Sequence, residues 1–174
     1  MLTLTKVANS ALTNYATPRT IVPRFVVPVT TLQKNILRYE REVGKLPQVD
    51  LPLRHFFIKS PRTVSGGYAR EITMLKGTAA VGRVHKYPCI NIISKGELVV
   101  ATDNGVIHIK APYTFVSEAG AKRALYMYED TIWTTFHLTD ETDISKIKDD
   151  LGVVTYSEYL SYKHELEKPC LLEP

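Results

Sequence analysis

The residue types that do chemistry crowd into one short stretch, "GRVHKYPCINIISKGELVV", residues 82 to 100. His85 stands between Arg83 and Tyr87, with Cys89 four residues on. An imidazole can ligate a metal, move a proton or hydrogen-bond a neighbour in a wall. A guanidinium recognises carboxylate or phosphate through paired N–H donors. A thiol becomes a nucleophile only where a base or a positive charge favours the thiolate, and Cys89 has no evident base beside it in sequence. A second stretch, "TIWTTFHL", places Trp133, Thr135 and His137 on one face of an extended strand and Thr134, Phe136 and Leu138 on the other. His137 could line a cavity between strands, but reads first as a strand-end histidine at the surface. His55, His108 and His164 join no constellation. "SPRTVSGGYAR" carries Gly66-Gly67 but lacks phosphate-loop spacing and reads as a plain turn.

These residues need elements to hold them. "PRTIVPRFVVPVT" is broken by Pro18, Pro23 and Pro28, which excludes helix and central strand, yet Ile21, Val22, Phe25, Val26, Val27 and Val29 are too apolar for a solvated linker. It reads as an extended arm that must be buried on its own domain or on another subunit. Leu32, Ile36, Tyr39 and Val43 fall on one face of a helix over 30–43, with Thr30 or Thr31 to start it and Gly44 to end it. From residue 53 short apolar runs take over, at 54–60, 69–76, 79–84, 89–94, 97–102, 105–110, 112–117, 123–128 and 131–138. Turn signals separate them, the strongest being Asp103-Asn104-Gly105. Many short strands with close turns predict an all-β sandwich or barrel. Beyond residue 139, Asp143 can cap "ISKIKDDL", and Thr155 with Glu158 fits a capping box for a last helix.

The strand region resembles the cupin family, small jelly-roll barrels. Gly77, Arg83, His85, Cys89 and Gly96 reproduce the spacing of the first cupin motif, and Gly120 followed by Arg123 that of the second. The match covers roughly residues 54–139. "KGELVVATDNGVIHIKAPYTFVSEAGAKR" followed by "EDTIWTTFHLTDETD" is similar, more particularly, to small cupin-domain proteins of tailed bacteriophages. The resemblance implies a mainly β fold: an N-terminal arm with its helix over 1–52, a cupin-type jelly-roll barrel over 53–139 and a C-terminal helical tail over 140–174. In metal-dependent cupins three histidines and a glutamate hold the metal. The matching positions here are Arg83, His85, Cys89 and Arg123, and arginine cannot ligate, so no metal and no cofactor is expected. Two readings of these residues remain. His85 is a wall histidine, with the arginines paired to Glu97, Glu118 or Glu129. Alternatively Arg83, His85 and Arg123 converge in the barrel mouth, near Tyr87, Cys89 and Tyr126, to hold a small anion. Trp133 is then core or one wall of that mouth.

Composition narrows the function classes. The 174 residues suit one domain with extensions, and no run approaches a membrane span. The N-terminus lacks a long apolar run behind a basic start, so no signal peptide is expected. Cys89 and Cys170 read as free thiols in a reducing compartment. Residues 140–174 carry nine acids against four bases, while the rest of the chain is mildly basic, a balance too weak to imply nucleic acid. The expectation is a non-enzymatic assembly protein of a phage particle (head, neck or tail). It would form a homo-oligomer through its arm and tail and contact other virion proteins, in the virion or the host cytoplasm, with no membrane and no specific nucleic acid. The alternative is a cupin-type enzyme or small-anion binder, isomerase- or epimerase-like, that uses the barrel mouth.

Overall fold

A computed structural model describes residues 3–6, 29–59, 66–102 and 105–167, with backbone alone for 3–6, 29 and 30. The apolar arm before Val29, the turn at Asp103-Asn104, the loop 60–65 and Cys170 lie outside the described residues.

Two antiparallel five-stranded sheets pack face to face. The first runs β1 (Thr3–Lys6), β4 (Thr78–Val81), β10 (Ala124–Met127), β7 (Glu97–Thr102) and β8 (Gly105–Lys110). The second runs β2 (Leu53–Ile58), β3 (Gly67–Met74), β11 (Thr131–Leu138), β6 (Cys89–Lys95) and β9 (Tyr113–Ser117). This is a mainly β, jelly-roll-like barrel flanked by helices, as the sequence predicts. Alternation builds it: β11 buries Thr131, Trp133, Thr135 and His137 and turns Ile132, Thr134, Phe136 and Leu138 outward. The core between the sheets is Ile72, Met74, Ile93, Leu98, Val100, Leu125, Met127 and Trp133 with smaller neighbours. Each large side chain buried there contributes about 1.5–3 kcal/mol. Gly96 makes the hairpin between β6 and β7 possible. Its φ is +97°, and a Cβ there would lie 2.5 Å from Thr131 Oγ1, so no L side chain fits.

Helix α1 (Val29–Gly44) closes the outside of the first sheet. Ile36 packs against Val81 and Ala124, and the Tyr39 hydroxyl donates to the Leu125 carbonyl at 3.3 Å. Lys122, 1% exposed, pins the helix by an ion pair with Glu40 at 2.8 Å and donates to the Val154 carbonyl.

One strand differs from its sequence reading. The run 79–84 is two strands, β4 and β5 (Val84–His85), broken at Gly82-Arg83. The turn after β9 pulls the chain aside: Gly82 N–H donates to the Arg123 carbonyl, His85 N–H to Ala121, and Gly120 N–H to His85. Freed from the large sheet, β5 pairs with β12 (Gly152–Val153). That pairing draws α2 (Ile144–Leu151) across one end of the barrel. Asp143 caps α2 by accepting from Ser145 N–H, and Thr155 with Glu158 forms the reciprocal box that starts α3 (Tyr156–Glu167).

Candidate functional site

Between the sheets, at the end that α2 covers, lies a cavity of about 300 Å³. That is the low end of the range for small-molecule pockets. Strand β3 supplies Tyr68, Arg70, Ile72 and Met74 from its inward face, and β11 supplies Trp133, Thr135 and His137. Strand β2 adds Leu53 and His55, and the displaced β5 with its preceding turn adds Gly82, Arg83 and His85. Arg123 and Leu125 come from β10 and the residue before it, and Asn91 from β6. Helix α2 closes the end with Ile144, Ile147, Lys148 and Leu151.

The charge in this wall is of one sign. Three arginines and a lysine line the cavity, and among the described residues no aspartate or glutamate does. Arg70 is half-buried, and among the described residues no carboxylate pairs with it. Burial holds its guanidinium below the usual value, with Tyr68 opposing. Arg83 reaches outward to Asp149 of α2, Nη1 to Oδ1 at 2.8 Å, and its buried Nε has no hydrogen-bond partner among the described residues. The Arg123 guanidinium lies 5.4 Å from the centre of the Phe115 ring.

The histidines answer to this field. Burial first, then Arg123, His137 and Arg70, push His85 down to about 3. Burial and Arg70 push His137 down to about 4 against an opposing Asp150, and the same two causes lower His55. All three are neutral at pH 7. Burial raises the Cys89 thiol in turn, so the 3.1 Å contact between His85 Nδ1 and Cys89 Sγ is a hydrogen bond between neutral groups. Behind it Asn91 ties the wall together. Its Oδ1 accepts from Trp133 Nε1 at 3.0 Å and Thr135 Oγ1 at 3.4 Å, and its Nδ2 donates to Ser117 Oγ at 2.6 Å. His137 Nδ1 is buried with no partner among the described residues.

The sequence-derived site is thus partly assembled. Arg83, His85 and Arg123 meet at the cavity, and Cys89 sits behind His85 rather than in the lining. Tyr87 does not join them: it is exposed and packs edge-on against Tyr162 of α3, 6.1 Å between centroids. Tyr126 does not either, because Leu125 takes the inward position of β10 and turns Tyr126 out against Tyr128. The arginine partners expected among Glu97, Glu118 and Glu129 give way to Asp149 for Arg83, while Glu97 holds His108 and Lys110. His137 is not at the surface. It is 7% exposed, with the His85 and Tyr68 rings within 6.4 Å of its own. Arg70, His55 and Lys148 escaped the sequence reading; for Arg70 the signal was its place in the inward series Tyr68, Arg70, Ile72, Met74.

The residues present do not fit the metal that the cupin resemblance suggests. Two of the four motif positions are arginines, the thiol is protonated, and His85 shares a proton with it. Among the described residues no group of three or more His, Cys, Asp or Glu could hold a metal ion.

Compared with known proteins, the chain matches no family model and no curated protein. Solved structures share its strand layout. The chain is similar to KdgF from Halomonas sp., at 12% identity and TM-score 0.43, over 55% of this chain and 93% of that one. A cupin superfamily protein from Desulfitobacterium hafniense gives 11% identity and TM-score 0.41, over 55% and 84%. An acetylacetone dioxygenase from Acinetobacter johnsonii gives 18% and 0.38, over 51% and 61%. Likeness at this level concerns strand layout, and no activity follows from it. Among the described residues no helix is long and apolar enough to cross a membrane.

Proposed function

We propose that the barrel mouth binds a small organic anion, a carboxylate or phosphate on an apolar body, without a metal. One observation carries this reading: a cavity of about 300 Å³ is walled by Arg70, Arg83, Arg123 and Lys148 with no acid among its lining residues. Like charges gathered in a half-buried space repel, and an anion that accepts from two guanidinium forks relieves the repulsion. The apolar part of the ligand would rest on Trp133, Leu125 and Ile147.

Binding is favoured over catalysis by the histidines themselves. A general base works best when its pKa lies near the working pH. His85 at about 3 and His137 at about 4 are weak bases, although an anion beside them would raise both. A thermal-shift screen with small carboxylates, sugar phosphates and sugar nucleotides tests the proposal. Stabilisation by at least one anion, lost in Arg70→Met and in Arg123→Met, is the expected result. No stabilisation by any anion would overturn it.

The assembly reading, a subunit of a tailed-phage particle, rests on the sequence resemblance. The arm on which it leans lies outside the described residues. One feature of the surface favours association of copies, independently of the cavity, and it lies on the other side of the second sheet.

A further inference from the structure

Part of the outward face of the second sheet is apolar, beside a row that holds Arg54, Glu71, Thr134, Ile92 and Thr114. Strand register lines up Phe56, Ala69, Phe136, Ile90 and Val116 as one row across all five strands. A second row beside it holds Ile58, Gly67 and Leu138. The Phe136 ring lies against Gly67, where a Cβ would come within 2.8 Å of it, so the two rows merge into one surface. Ile58, Val116 and Leu138 are 60%, 60% and 67% exposed. The outside of the first sheet has α1 over it, whereas no described element packs on this face.

We propose that this face is where a second copy of the chain docks, sheet against sheet about a two-fold axis. Three observations select a copy of itself as the occupant. First, an interface of this symmetry must be self-complementary, and a broad apolar patch is so without matching of charges. Second, the two rows contain no charged residue, and in the row beside Phe56 and Ala69 the charges of Arg54 and Glu71 neutralise each other at 3.1 Å. An uncharged patch of this kind adds no like-charge repulsion when a chain of net charge +4 meets its own copy. Third, the size is right. The whole face, five strands about 4.8 Å apart and about six residues long, spans roughly 500 Å² in plan before side-chain relief is added, the apolar rows taking about half of it and the paired Arg54 and Glu71 lying beside them. Specific interfaces bury about 600–1,000 Å² on each partner. The cavity opens on the opposite face of the same strands, so docking leaves the mouth and α2 untouched.

Sedimentation velocity on the full-length protein at about 50 µM tests this, beside Val116→Lys/Leu138→Lys. Both side chains point outward and neither lines the cavity. The expected result is a wild-type dimer, and a double variant with unchanged circular dichroism whose self-association is weaker by at least about 100-fold. Val116→Arg alone, on an edge strand, serves should the double variant not fold. A wild-type monomer would overturn the proposal, the face being then bare or covered from within the chain. So would an assembly that persists unchanged in the folded variants, because another surface would be holding it.

Discussion

The two sheets share a core but distribute polarity in opposite ways. The first is conventional: β4 and β10 bury Ala80, Val81, Leu125 and Met127, and α1 covers their outer side. The second has charge inside and oil outside. Strand β3 points Tyr68 and Arg70 inward and Ala69 outward, and β11 points Thr135 and His137 inward and Phe136 and Leu138 outward. A half-solvated strand ordinarily does the reverse. Half of this inversion costs stability, since the Arg70 guanidinium is held in a confined space with no carboxylate paired to it among the described residues. The other half leaves hydrophobic burial unrealised in the monomer. Both proposals start from this inversion: an anion within and a second copy without.

The comparison breaks most visibly at Asn91, which holds the inverted wall upright. Asn91→Ala removes the acceptor of Trp133 Nε1 and the donor to Ser117. The expected loss is about 3 kcal/mol, from one unmade bond at each partner, read as a lower denaturation midpoint. Arg70→Met sharpens the contrast from the other side. It removes a half-buried charge that has no carboxylate beside it among the described residues, so stability is expected to rise by about 1–2 kcal/mol while anion binding disappears. An arginine with a merely structural role would lose stability instead.

The histidines give a signature confined to acid pH. His85 and His137 have folded values of about 3 and about 4 against an ordinary 6.5. The unfolded chain therefore binds more protons between these limits. Stability is full above about pH 6.5 and falls as the pH drops toward 4. In His137→Gln the fall between pH 6.5 and 4 should be shallower by up to about 3 kcal/mol. Melting curves across that range measure it, and an unchanged slope would mean His137 is solvated. Smallest is the latch. Asp149 is 65% exposed at its side chain, so Asp149→Asn should cost under about 1 kcal/mol in stability. It should nevertheless speed anion entry, because it loosens α2 from Arg83, and stopped-flow Trp133 fluorescence would show this.

The barrel was legible because each hairpin announces itself locally, as the Gly96 turn and the alternation of 131–138 do. The cupin-like spacing brought Arg83, His85 and Arg123 to the mouth, since both motifs sit at turns whose geometry follows from glycine. What stayed hidden depends on pairing between distant segments. Arg70 faces inward because β3 registers with β2 and β11 as it does, and a shift of one residue would turn it out. His137 is buried beside the rings of Tyr68 and His85, and His85 stands there on β5, which pairs with the distant β12. Tyr126 was misplaced for the same reason, its face being set by Leu125 and by the register with β7.

The most direct measurement is calorimetric titration of wild type and Arg70→Met, at pH 6, with the anions that stabilise best in the thermal screen. One-to-one binding by wild type, abolished in a variant that melts higher, is the expected result. Equal binding by both proteins, or a variant that loses stability together with affinity, would contradict an anion site in the barrel mouth.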